Sequence, residues 1–160
     1  MLSRLYKYKQ KSVLLELTPP AFTNKTPIAT AQLFSVLHGL LKSRSFKDAV
    51  LRYVPTFSME IVSTKSKGIR YYIRTDEANE ELIRQAVTAY SSDVKVRVVA
   101  DRPKIHGMQV LQAYRQTEHF AMPLDTSSTL NEHDPVAYLT NSMTQLQDNE
   151  RIELQLVVTP

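Results

Sequence analysis

Apolar and polar residues alternate over 13–17, with Val13, Leu15 and Leu17 on one face of a strand and Glu16 on the other. Pro19 and Pro20 stop this strand, because proline has no N–H to give to a sheet ladder. Thr26 then supplies an N-cap and Pro27 a first helical position, where a missing N–H costs nothing. The helix after Pro27 is apolar around most of its circumference. Gln32, Ser35, His38 and Lys42 make a narrow polar stripe, so cover is expected on two sides. A basic connector over 42–47 and a helical turn over 48–54 lead to Pro55.

Alternation resumes over 57–62 and again over 69–74. The loop 63–68 makes the pair a hairpin, and Gly68 provides its permissive backbone. Thr75, Asp76 and Glu77 cap a second helix and complement its positive end. Leu82, Ile83, Ala86, Val87 and Tyr90 form that helix's inner face. Over 93–100, Val94, Val96 and Val98 point inward, while Lys95 and Arg97 point outward. Strand, helix, strand, strand, helix, strand is the ferredoxin-like βαββαβ order, an α+β fold with both helices on one face of an antiparallel sheet.

The break at Asp101, Arg102 and Pro103 divides this unit, 1–103, from a second one, 104–160. In the second unit 108–116 reads as a strand and 120–124 as a further short apolar segment. Asp134 and Pro135 open a helix with Val136, Leu139, Met143 and Leu146 along one face. Ile152, Leu154, Leu156 and Val158 form a last strand. Its ending, Leu154 to Pro160, echoes Leu14 to Pro19, which suggests an incomplete second βαβ unit. On that pattern 108–116 and 151–158 are expected to close up as adjacent parallel strands.

Charge sharpens the division. The 160 residues carry a net charge of +4. Residues 1–103 hold 17 Lys/Arg against 9 Asp/Glu (+8), and 104–160 hold 3 against 7 (−4). Arg4, Lys7, Lys9 and Lys11 interleave with Leu2, Leu5, Tyr6 and Tyr8. Such an arm is either a solvated lead-in or a contact to a membrane surface or nucleic acid. The absence of cysteine excludes disulfide and thiolate chemistry. No apolar run approaches the roughly 20 residues that span a bilayer.

Candidate chemistry is sparse. No G-x-x-x-x-G-K-[ST] phosphate loop, H-E-x-x-H or G-x-S-x-G occurs. His38, His106, His119 and His133 never pair at metal-ligand spacing. The acidic run Asp76, Glu77, Glu80 and Glu81 reads as a solvated helix start. Catalytic residues, metal ligands and cofactors are therefore not expected. The outward sheet face, with Leu14, Glu16, Ser58, Glu60 and Val62 beside Arg70, Tyr72, Arg74, Lys95 and Arg97, is the one surface with a functional pattern. The last five could stack a base and neutralise phosphates as a sequence-tolerant nucleic-acid-binding module. The alternative is a half-solvated face, or one covered by the second unit.

Residues 14–20 (Leu-Leu-Glu-Leu-Thr-Pro-Pro), Thr26-Pro27, 32–40 (Gln-Leu-Phe-Ser-Val-Leu-His-Gly-Leu), 58–63 and 69–74 resemble the N-terminal region of bacterial type IV secretion and conjugation-like ATPases. In that family these segments precede a motor domain of the coupling-protein or HerA/FtsK type. Asp134, Pro135, Leu139, Leu146 and the ending 155–160 resemble a later segment of the same family. The resemblance implies a non-catalytic assembly or interaction module for DNA transfer, with the ATPase domain lying outside this chain. It implies partners in that ATPase domain or in sister subunits, an oligomer, DNA contacts through 1–103, and a cytoplasmic place at the inner face of the membrane. It carries over no individual functional residue.

Overall fold

The computed structural model describes residues 11–22, 27–42, 56–102, 107–114 and 135–158. Strand β1 spans Ser12–Thr18, helix α1 Pro27–Lys42, strand β2 Phe57–Thr64 and strand β3 Gly68–Asp76. A 3-10 turn over Glu77–Asn79 leads into helix α2, Glu80–Tyr90, followed by strand β4, Lys95–Val99. Helix α3 spans Pro135–Ser142 and strand β5 Arg151–Val158. The five strands form one antiparallel sheet in the order β4-β1-β3-β2-β5.

Alternation decides which side of the sheet is dry. Leu15 pairs with Ile73 and Val98, Met59 with Ile73 and Leu156, and Phe57 with Val158, so these positions share a face. Leu37 of α1 and Ile83, Ala86 and Val87 of α2 pack with Leu15, Phe57 and Ile73 in one buried cluster. Both helices therefore cover this face, and the opposite one carries most of the strands' polar residues together with buried Leu14 and Val62.

Several details depart from the sequence reading. Leu82, expected inside, is largely exposed, because α2 turns only Ile83, Ala86 and Val87 fully into the core. Val98 is also exposed, since β4 is an edge strand with one neighbour. On α1, Leu33, Val36 and Leu37 face the core while Gln32, Ser35 and His38 are exposed as expected; Phe34 stays exposed too, so the second cover is not found among the described residues. Asp76 makes no side-chain capping hydrogen bond, and the chain enters α2 through the 3-10 turn.

The largest correction concerns the last third. Residues 108–114 join no ladder among the described residues, and Met108, Val110, Leu111 and Tyr114 are 82–95 % exposed. The last strand does not lie parallel to them. It runs antiparallel to β2, in the same sheet as β1 to β4. The apolar row Phe57, Met59 and Ile61 explains the choice, because Val158, Leu156 and Leu154 extend it across the strand. The arm 1–10, the turn over 48–54, the segment 120–124, the capping residues Thr26 and Asp134, and His106, His119 and His133 lie outside the described residues.

Candidate functional site

The face opposite the helices carries a row of polar side chains in register across all five strands: Arg97, Glu16, Tyr72, Glu60 and Gln155. Arg70 and Arg74 flank Tyr72 on β3, and Ser58 and Glu153 lie in the neighbouring rows. Arg70, Tyr72, Arg74, Lys95 and Arg97 thus share one face, with β1 separating the β3 residues from the β4 residues.

Two buried carboxylates organise this face. Glu16 is 4 % exposed and Glu60 3 %. Glu16 accepts from Arg97 Nε at 2.7 Å and from Arg70 Nη1 at 3.3 Å. Glu60 accepts from Ser58 Oγ at 2.9 Å, Arg74 Nε at 3.1 Å and Gln155 Nε2 at 3.1 Å, and also from Arg102 Nη2. Arg74 further donates to both oxygens of Asp101, at 2.8 and 3.3 Å. Arg102 Nε lies 3.3 Å from Glu153, which Arg151 approaches at 2.8 Å. A buried charge is tolerated only when paired and hydrogen-bonded, and each carboxylate here meets that condition.

The titration behaviour follows from the contacts. Burial pushes the Glu60 carboxyl up, but hydrogen bonds from Arg102 and Ser58 and the charges of Arg102 and Arg74 outweigh it, holding the group below its ordinary value. The hydrogen bonds that Arg74 donates to Asp101 hold the Asp101 carboxyl low and in turn raise Arg74. Burial, helped by the charge of Glu16, raises the Tyr72 phenol.

These contacts occupy most of what a nucleic acid would need. Arg70 and Arg97 are held by Glu16, and Arg74 by Glu60 and Asp101. The Arg102 guanidinium sits over the Tyr72 ring, 5.0 Å from its centroid, where a base would stack. Lys95 makes no ion pair among the described residues. A small polar cavity of about 190 Å³ lies between Glu60, Arg74, Arg102, Glu153, Leu154 and Gln155, and Arg102 Nη1 is buried there with no partner among the described residues.

Sequence reasoning placed Glu16 and Glu60 on this face without seeing them as its hubs, and it read Arg102 as part of a chain break. The only available signal was the coincidence of carboxylates and arginines on one alternation phase; which pairs meet depends on strand register. Of the acidic run expected to be solvated, Glu77 and Glu81 are exposed, Glu81 pairing with Arg84 and accepting from Gln85 at 2.9 Å, while Asp76 and Glu80 are half-buried. No cluster with metal-ligand composition occurs among the described residues.

A second feature lies at the sheet edge. Strand β5 pairs only with β2 among the described residues, and residues 152–157 are exposed, Leu156 and Val157 each to 58 %. Among the described residues no strand lies along its outer edge, whose N–H and C=O groups offer a template for pairing. No helix among the described residues is long and apolar enough to cross a membrane. Comparisons with known protein families, with curated proteins and with solved structures find no match to this chain.

Proposed function

We propose that the chain is an assembly module of a type IV secretion or conjugation-like motor protein, built on a ferredoxin-like sheet that β5 extends. The order β1-α1-β2-β3-α2-β4, with β3 between parallel β1 and β2, supports the fold reading. The family reading rests on the sequence pattern around 14–20, 26–40 and 58–74. The observation that carries the assembly role is the eight-residue β5, whose outer edge is unpaired among the described residues and which exposes Leu154, Leu156 and Val157. Partners that add a strand to such an edge gain affinity from main-chain hydrogen bonds and specificity from alternate side chains. The motor domain of the same machine, or a sister subunit, is the partner this reading assigns.

The test is binding of the purified chain to the motor domain of a coupling-protein-type ATPase, with and without Leu156→Lys. An edge lysine blunts strand addition and leaves a solvent-facing position solvated. Binding that Leu156→Lys weakens at least about tenfold, roughly 1.4 kcal/mol, is expected. The nucleic-acid reading draws on the shared face of Arg70, Tyr72, Arg74, Lys95 and Arg97. Salt-dependent binding of single-stranded DNA that Arg70→Ala and Arg74→Ala abolish, with no motor binding, would replace the assembly reading with that one.

A further inference from the structure

We infer that the corner of the polar face shared by β1, β3 and β4 is a contact for the phosphate backbone of nucleic acid, with no reading of bases. The inference deepens the second reading above, places it on three of that reading's five residues, and does not depend on the β5 edge.

Charge divides the face in two. On one side Arg74, Arg102 and Arg151 meet Asp101, Glu60 and Glu153, three cations against three carboxylates. On the other, Arg70 and Arg97 meet the single carboxylate of Glu16. Lys95 shares the alternation phase of Arg97, pairs with Thr18 and brings no carboxylate with it. Asp93, in the turn before β4, already has a partner. Two positive charges are therefore in surplus at this corner, and they can reach solvent. The Arg97 side chain is 71 % exposed, that of Arg70 41 %, and Lys95 is exposed.

Glu16 does more than subtract a charge. It is buried, and it takes Arg97 through Nε and Nη2 on one oxygen and Arg70 through Nη1 on the other. The carbonyl of Lys67 fixes Arg70 Nε as well, at 3.2 Å. Both guanidiniums are thus oriented before a ligand arrives. Neither makes a further hydrogen bond or ion pair among the described residues. A fork already in place loses less freedom on meeting phosphate than a free side chain does.

The spacing favours a chain of phosphates. Lys95 lies two residues from Arg97 along β4, roughly 7 Å at the rise of a strand, so the surplus covers more than one phosphate position. Polybasic clusters that hold anionic lipid carry about 4–8 cations, more than this corner offers. Bases find no platform beside it, because Arg102 lies over the Tyr72 ring.

Anisotropy of a labelled oligothymidylate about 20 nucleotides long, titrated with the intact chain, reads the contact. With two to three phosphates neutralised, log K should fall against log salt with a slope of about −1.4 to −2.1. Lys95→Ala breaks no ion pair and should leave the circular dichroism spectrum unaltered. It is expected to weaken binding about tenfold at roughly 20 mM salt and to reduce the slope by about 0.7. Arg84→Ala removes the same charge from α2, across the sheet, and should change affinity less than about twofold. Oligoadenylate should bind within about twofold of oligothymidylate, since no base stacks. Absence of binding at low salt overturns the inference, as does equal weakening by Lys95→Ala and Arg84→Ala. So does tighter binding to anionic lipid vesicles, or displacement of the oligonucleotide by an equal concentration of polyglutamate. A chain that binds the motor domain but no oligonucleotide overturns this inference alone and leaves the assembly reading standing.

Discussion

Glu60 shows most directly how single residues hold the polar face together. It is nearly without solvent contact, and its two oxygens accept from Ser58, Arg74, Arg102 and Gln155. Removing one partner of a buried pair strands the other charges, at a cost of about 3 kcal/mol. Glu60→Gln is therefore expected to lower unfolding stability by that amount at neutral pH. The pH dependence has a definite sign. A carboxylate with its folded pKa below its unfolded one contributes stability that is present above the ordinary value of 4.5 and lost as pH falls through the lower, folded value. Asp101 acts in the same direction below 3.8. Asp76 opposes them: burial raises its carboxyl above 3.8, so its contribution falls as pH rises through the raised value. Urea melts at pH 7 and below 4.5 should show a steep acid loss in the wild type and a shallower one in Glu60→Gln. Equal slopes would mean that the pair is not coupled to folding as the contacts imply.

At the scale of the element, the two glycines of α1 and the β2–β3 hairpin make a matched comparison. Gly68 sits at φ +64°, where it closes the turn and a side chain is strained whatever space surrounds it. Gly39 lies inside α1 with nothing within 4 Å of an added Cβ. Gly68→Ala should destabilise by about 1 kcal/mol through left-handed strain, while Gly39→Ala should stabilise by up to about 1 kcal/mol through helix propensity. Thermal melts of the two variants moving in opposite directions would satisfy this; movement in the same direction would not. Elements with strong local signals were legible in advance. Alternation marked β1, β2, β3, β4 and β5, and the phase that carries Leu15, Met59 and Ile73 did prove to be the core side. The segment 108–114 shows the limit, since it is rich in apolar residues and was read as a strand, but it joins no ladder among the described residues.

For the whole molecule, the sheet order β4-β1-β3-β2-β5 decides what is exposed. It places β5 and β4 at the margins, and it turns a face rich in arginine into a set of internal ion pairs. The basic excess of 1–103 is thereby partly neutralised where it was expected to meet phosphate. With no phosphate-binding loop in its sequence, the chain by itself is expected neither to bind nor to hydrolyse ATP. Titration calorimetry settles this, and stoichiometric ATP binding would count against the assembly reading.

Local chemistry was enough to determine the strands with two-residue periodicity, the hairpin that needs Gly68, and the two helices of the first hundred residues, because each depends on neighbours within a few positions. It was also enough to put Arg70, Tyr72, Arg74, Lys95 and Arg97 on one side. Whether those cations are available was decided only by tertiary structure. Register sets Glu16 between Arg70 and Arg97, and the chain after β4 brings Arg102 onto Tyr72 and Glu60. The place of β5 was equally out of reach. Its alternating pattern suits either side of any apolar neighbour, and the choice of β2 came from pairing across some 90 residues of sequence, a contact that no local pattern encodes.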